Sequence, residues 1–208
     1  MPTERFCNLP EEKRERITRA ALSEYVDKGI DGADVAGVVR RAGIPRGSFY
    51  QYFSDMDDLF GHVFNHLTAV KLRYMAGVFD QAGNIPFAEY VEMSFRCGLR
   101  FAESHPQFVA LGKQVYSSTN PVAIKCIETA RRMGVEHYAP LIDRDKARGL
   151  IRESIDSSIL AAFVMTVYTD VVASVMFGQS GDKQDVMVIA DTLFDILRHG
   201  IHKTGGAS

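Results

Sequence analysis

The stretch from Asp34 to Phe53 constrains this 208-residue chain most. Asp34 stands before Val35, Val38, Val39 and Ala42, an apolar face at helical spacing, and its carboxylate can serve the orphan N–H groups of a helix starting at Val35. Gly43 follows, where a tight turn between helices needs a residue that tolerates positive φ. A second short helix runs from about Pro45 to about Tyr52. Upstream, Pro10 suits a first helical position and Glu11 and Glu12 suit the positive end of a helix dipole. Ile17, Ala20, Ala21 and Tyr25 share one face of that helix, which Gly29 ends. Helix, short helix, glycine turn, short helix is a helix-turn-helix arrangement.

The remainder also reads as helix after helix. Ser54-Asp55-Met56-Asp57 matches the S-x-x-D capping pattern before a long helix expected from about Asp55 to Gln81. Further helices are expected from Pro86 to His105, Gln107 to Tyr116, Pro121 to Tyr138, Asp156 to Phe177 and Lys183 to His202, with no assignment for Pro140 to Arg152. No strand alternation and no repeat stands out. The expected class is all-α: a three-helix N-terminal head, residues 1–55, on a larger helical domain, residues 56–208, about nine helices together.

Composition narrows the setting. Cys7, Cys97 and Cys126 are odd in number and form no C-x-x-C pair, which favours a reducing compartment. Met1 to Arg16 is polar and holds no apolar h-region, so no signal peptide is expected and the assignment is cytoplasmic. Ile159 to Phe177 is apolar enough to test as a membrane span, but Asp170 inside it and the lack of close flanking Lys or Arg favour a buried helix. The net charge of −2, from 24 Lys+Arg against 26 Asp+Glu, excludes a generally polycationic nucleic-acid coat. Yet residues 35–54 contain Arg40, Arg41 and Arg46 and no Asp or Glu. An acid-free window in an acidic chain is what a phosphate-facing surface requires, because each cation near DNA releases condensed counterions. Ser48, Tyr50, Gln51 and Tyr52 add donors that can reach phosphates and base edges.

These residues carry a resemblance. Ala20-Ala21-Leu22, Tyr25, Gly29, Ala42-Gly43-Ile44, Gly47-Ser48-Phe49-Tyr50-Gln51-Tyr52-Phe53 and Leu59 resemble the DNA-binding domain of the TetR family of bacterial transcriptional regulators. The resemblance covers about the first quarter of the chain. It implies a recognition helix from Pro45 to Tyr52 in the major groove of a pseudo-palindromic double-stranded operator. Arg46 and Gln51 would face base edges, Ser48, Tyr50 and Tyr52 would clamp phosphate, and Gly47 would allow close approach. Phe49 and Phe53 would face inward. Arg40 and Arg41 are further candidates, although a solvated helix face explains them equally well. Tyr50 and Tyr52 could instead be core aromatics, but Phe49 and Phe53 already fill that periodicity. Three departures stand out: Asp34 and Val35 replace customary Ser or Thr, Met56 replaces a customary Lys, and Pro45 replaces a frequent Ser. Losing two phosphate contacts should flatten the log–log salt slope by about two.

The C-terminal part is expected to sense and to dimerise. The segment from Asp156 is apolar nearly all round, and Val186, Ile189, Ala190, Leu193, Phe194, Leu197 and Ile201 form a sustained stripe. In TetR-like proteins the last two helices make the homodimer interface, here Asp156–Phe177 and Lys183–His202. Two heads about 34–36 Å apart would meet successive major grooves. A small-molecule effector, apolar or aromatic, is expected in a cavity lined by Phe101, Tyr116, Phe163 and Tyr168, with Met93, His137, Met75 and Thr169 as further candidates. Plain core packing explains each of these residues taken singly. The resemblance favours a repressor released by its effector.

Other chemistries are weaker. His62 and His66 have i, i+4 spacing but lack the Glu of H-E-x-x-H, so no metal is assigned. No Walker A run, dinucleotide fingerprint, nucleophile elbow or paired Glu-x-x-His motif occurs, so neither catalysis nor a cofactor is expected. The alternative is a helical dimer acting through a protein partner or in nucleoid or division control.

Overall fold

In the computed structural model, residues 2–172 and 183–200 are described, and all of their regular structure is helical. The elements are α1 Glu4–Cys7, α2 Glu11–Lys28, α3 Val35–Ala42, α4 Arg46–Tyr52, α5 Met56–Tyr74 and α6 Ala76–Phe79. They continue as α7 Phe87–Ser104, α8 Pro106–Ser117, α9 Pro121–Ala147, α10 Ser157–Thr166 running into a π-helical turn Val167–Val172, and α11 Lys183–His199. The all-α class is as the periodicity indicates. No helix among the described residues is long and apolar enough to cross a membrane.

Local chemistry explains most boundaries. Asp34 caps α3, its Oδ1 accepting from the Gly37 N–H at 2.7 Å. Gly43 ends it in the left-handed region, φ 63 and ψ 41. Asp156 caps α10 through the Ile159 N–H at 2.9 Å. The cap of α5 lies one residue later than the S-x-x-D reading: Asp55 accepts from the Asp58 N–H at 2.7 Å, and Asp58 reaches back to the Ser54 N–H at 3.1 Å.

Four expectations are revised. The short α1 is an addition, nucleated by the Thr3 cap and anchored by buried Phe6. The long helix expected to reach Gln81 stops at Tyr74, and Met75 (φ −86, ψ 0) starts the separate turn α6. α9 runs through Pro140 to Ala147, where Gly149 at φ 71 ends it. Two tethers hold the end that contains the proline: the Asp145 carboxylate accepts the Phe87 N–H at 2.6 Å, and Arg144 donates to the Ile85 carbonyl at 2.7 Å. Finally, the helix from Asp156 changes to π geometry at Val167; its expected end at Phe177, and that of α11 at His202, lie outside the described residues.

The chain packs as two units. The first joins the chain through Arg73 with Ala102–Glu128; the second joins Tyr74–Phe101 with residues from Thr129 on. These units describe packing, whereas the division expected between residues 55 and 56 concerns what each part does. The first core is built from Ile17, Ala21 and Tyr25 of α2, Val38 of α3, Phe49 and Phe53 at α4, and Leu59, Phe60 and Val63 of α5. Leu111 and Val115 of α8 join it. The second gathers Phe87, Tyr90, Val91 and Phe95 of α7 with Tyr138 and Ile142 of α9, Val164 of α10 and Phe194 of α11.

Candidate nucleic-acid interface

α4 starts after Pro45 and is held by its inner edge. Phe49, Tyr52 and Phe53 are buried, at i, i+3 and i+4. The opposite edge presents Arg46, Gly47, Tyr50 and Gln51 to solvent, with Ser48 half-buried. Tyr50 is 54% exposed, and its ring stands edge-on to Phe49 with centroids 5.2 Å apart, so a core residue props an outward one. A Cβ added at Gly47 would meet no atom within 4 Å. Nothing inside this unit demands glycine there.

The start of α5 is pinned to α2, because the Tyr25 hydroxyl donates to the Met56 carbonyl at 2.6 Å. Behind α4, α1 covers the carbonyl end. Thr3 donates its N–H to the Tyr52 carbonyl at 2.9 Å and its hydroxyl to the Gln51 carbonyl at 2.6 Å. His62 is structural here: its Nε2 pairs with the Thr18 hydroxyl at 2.9 Å, and its ring packs on Phe6 and Phe53. Burial pushes this imidazole down to about 4.

Two candidate DNA contacts are placed differently from the expectation. Tyr52 is only 6% exposed, packed edge-on against Phe6 with Lys13 over its ring at 5.8 Å. Phe49, Tyr52 and Phe53 together make the inner stripe, and α1, absent from the sequence reading, closes over it. Arg41 points to α2: its Nε donates to Glu24 at 2.8 Å and its Nη2 to Asp27 at 2.7 Å. The window that is acid-free along the sequence is therefore not acid-free in space. Burial pushes the Glu24 carboxyl up, but Lys28 at 2.6 Å and Arg41 outweigh it and hold it below the ordinary range. Arg40 is exposed beside this network.

Three comparisons with known proteins bear on this geometry. The model of the bacterial regulatory proteins of the tetR family matches residues 17–63, from the middle of α2 into α5. The head is a TetR-family domain. A curated relative, the uncharacterized HTH-type transcriptional regulator YvdT of Bacillus subtilis (strain 168), is 34% identical over 65 residues. That match spans 31% of this chain and 34% of the relative, about a third of its length. Solved structures extend the likeness to the whole fold. A TetR family transcriptional regulator from Chloroflexus aurantiacus J-10-FL has a TM-score of 0.63 at 23% identity, over 96% of this chain and 98% of its own. FadR of Bacillus subtilis, in complex with stearoyl-CoA, has a TM-score of 0.72 at 15% identity, over 90% and 99%. A TetR-like regulator from Rhodococcus sp. RHA1 has 0.67 at 17%, over 93% and 98%. At these identities the likeness shows a shared fold.

The ligand candidates do not form one constellation. Tyr116, exposed on α8, belongs to the first packing unit and the others to the second. Phe163 faces outward from α10 at 48% exposure. Phe101 is core, edge-on to Tyr74 at 5.3 Å, and Met75 is buried too. Met93 borders a wide groove of about 650 Å³ along α7, beside Ile85, Arg96 and Arg198. Arg131 donates from Nε to Thr169 at 2.9 Å. Tyr168 and His137 do lie about the same pair of rings, Tyr90 and Tyr138, neither of which the sequence singled out.

Proposed function

We propose that this chain is a sequence-specific, DNA-binding transcriptional regulator whose α4 enters the major groove. The outward edge of α4 carries the reading: Arg46, Gly47, Tyr50 and Gln51 are exposed on a helix whose other side is fixed by Phe49 and Phe53. Ser48 and Arg40 border that edge and serve phosphate. Arg46 and Gln51 have the side-chain chemistry for base edges, and Tyr50 for phosphate.

The regulator works as a homodimer through α10 and α11. Ile159 at 71% and Val188 at 65% exposure join Phe163 as large apolar side chains turned to solvent on these helices, which supports a second copy covering them. Residues 1–55 read DNA and residues 56–208 sense and dimerise. The sign is repression, relieved by a small apolar or aromatic effector in the second unit. To release DNA the effector must prefer the non-binding state by roughly 5 kcal/mol for a near-complete switch.

The test is a gel shift on the DNA upstream of the chain's own gene, with Tyr50→Ala as the comparison. The native protein binds at low salt; Tyr50→Ala loses binding and keeps its melting temperature and oligomeric state. Absence of any shift at low salt, or an unchanged affinity in the variant, contradicts the reading.

A further inference from the structure

The groove along α7 lies wholly within the second unit, and its volume of about 650 Å³ is that of a small-molecule site. Met93, Arg96 and Arg100 follow one another at i, i+3 and i+7, so they share one face of α7. Arg198 reaches the same groove from the last turn of α11. Met93 and Ile85 are half-buried, whereas the three arginines are exposed. Apolar surface and cationic surface therefore lie side by side in one depression.

Two of the arginines meet on a single carboxylate. Arg96 donates to Glu92 Oε1 from Nε at 2.9 Å and from Nη2 at 2.8 Å. Arg198 donates from Nη2 to the other oxygen, Oε2. Burial pushes the Glu92 carboxyl up, but Arg96 and Arg198 outweigh it and hold it below the ordinary range, so it stays charged at pH 7. Asp191 stands 3.6 Å from Arg96 Nη2, too far for a hydrogen bond.

The donors outnumber what Glu92 can accept. Two guanidiniums carry about ten N–H groups, and a carboxylate offers about four acceptor sites. Glu92 thus orients both forks without exhausting them. Three arginines against Glu89 and Glu92 also leave the groove lining with one positive charge in excess. That excess matches a single negative charge, and paired forks suit a carboxylate.

The apolar wall is fixed in advance. Arg144 donates to the Ile85 carbonyl at 2.7 Å and also to the Ala82 carbonyl. Asn84 donates from Nδ2 to the Asp80 carbonyl at 3.2 Å. A ligand meeting Ile85 there does not have to order the turn that carries it.

We propose that this groove binds a small amphipathic carboxylate, its anionic group on Arg96 and Arg198 and its apolar or aromatic body along Met93 and Ile85. This rests on the effector-regulated reading above and adds one negative charge to the ligand. Glu92 is a positioning residue, which holds the two guanidiniums on one spot.

Titration calorimetry on the full chain at low salt tests it with three probes. They are 2-naphthoate, its neutral amide 2-naphthamide, and acetate, which has the charge without the apolar body. 2-Naphthoate binds at least about tenfold tighter than either of the others. Arg96→Gln and Arg198→Gln, each made singly, lower its affinity to that of 2-naphthamide. Both melt close to the native temperature, because exposed ion pairs add little to stability. Arg132→Gln, which removes an exposed arginine outside the groove, leaves the affinity unchanged. A groove filled by a second copy would show as 2-naphthoate that does not bind, and a general anion site as acetate binding equally well. Either result overturns the proposal. So does 2-naphthamide equal to 2-naphthoate, an affinity that survives in both groove variants, or an equal loss in Arg132→Gln. No DNA enters these titrations, so a failure of operator binding and a failure of this site are told apart.

Discussion

At the scale of single residues, Arg41 and His62 separate what chain order can reveal from what it cannot. Arg41 is a cation in an acid-free window of sequence, yet Glu24, 17 residues away, takes its Nε. Replacing it by Gln leaves Glu24 buried with Lys28 as its remaining cation. We expect a loss of about 1–3 kcal/mol, the lower part of the range for a broken buried pair because Arg41 is itself partly solvated. Urea denaturation measures it, and an unchanged midpoint with weakened DNA binding would instead return Arg41 to the interface. His62 carries a pH dependence. The unfolded chain takes up its proton near pH 6.5 and the folded head near 4. Stability from neutral His62 is therefore complete above about 6.5 and is lost as pH falls through that window towards 4. The loss stays below about 1.4 kcal/mol per pH unit, since the ring is partly solvated. In melts at pH 7 and pH 5, His62→Gln should show a smaller drop than the native chain; an equal drop assigns the effect elsewhere.

At the scale of elements, the legible features were those that local physics decides within one turn. The Asp34 cap and the left-handed Gly43 rest on neighbours one to three residues away, and both were readable from residue type. The inner stripe of α4 was half legible. Phe49 and Phe53 pointed inward by spacing, but Tyr52 is buried because α1 folds back over it, and a four-residue helix has no periodicity to read. The Tyr90–His137 pair was half legible: His137 stood out by residue type, but its partner lies 47 residues away on another helix. The π-helical turn leaves no residue signature at all. Gly47 supplies the prediction at this scale. It sits in the first turn of α4 with open space where a Cβ would go. Gly47→Ala should therefore stabilise the head by about 0.5–1 kcal/mol, through the backbone entropy of glycine, while weakening operator binding. Chemical denaturation and a binding titration on the same sample check both signs. A destabilised variant would mean that packing requires the glycine, and undiminished DNA binding would remove it from the interface.

At the scale of the whole molecule, a slightly acidic chain with net charge −2 can hold DNA only through a small, directed set of contacts. Arg46, Tyr50 and Gln51 are few, Arg41 is committed to Glu24 and Asp27, and Met56 and Val35 offer no charge or hydroxyl to phosphate. One head of this kind binds weakly, so the proposed operator binding needs two heads, which the proposed dimer joins through the apolar faces of α10 and α11. The most direct test is a hydroxyl-radical footprint of the native protein on the DNA upstream of its gene, at low salt. Two protected patches of related, inverted sequence are expected, centred about 34–36 Å apart, one helical turn. No protection, or a single patch without an inverted counterpart, would contradict the proposed binding.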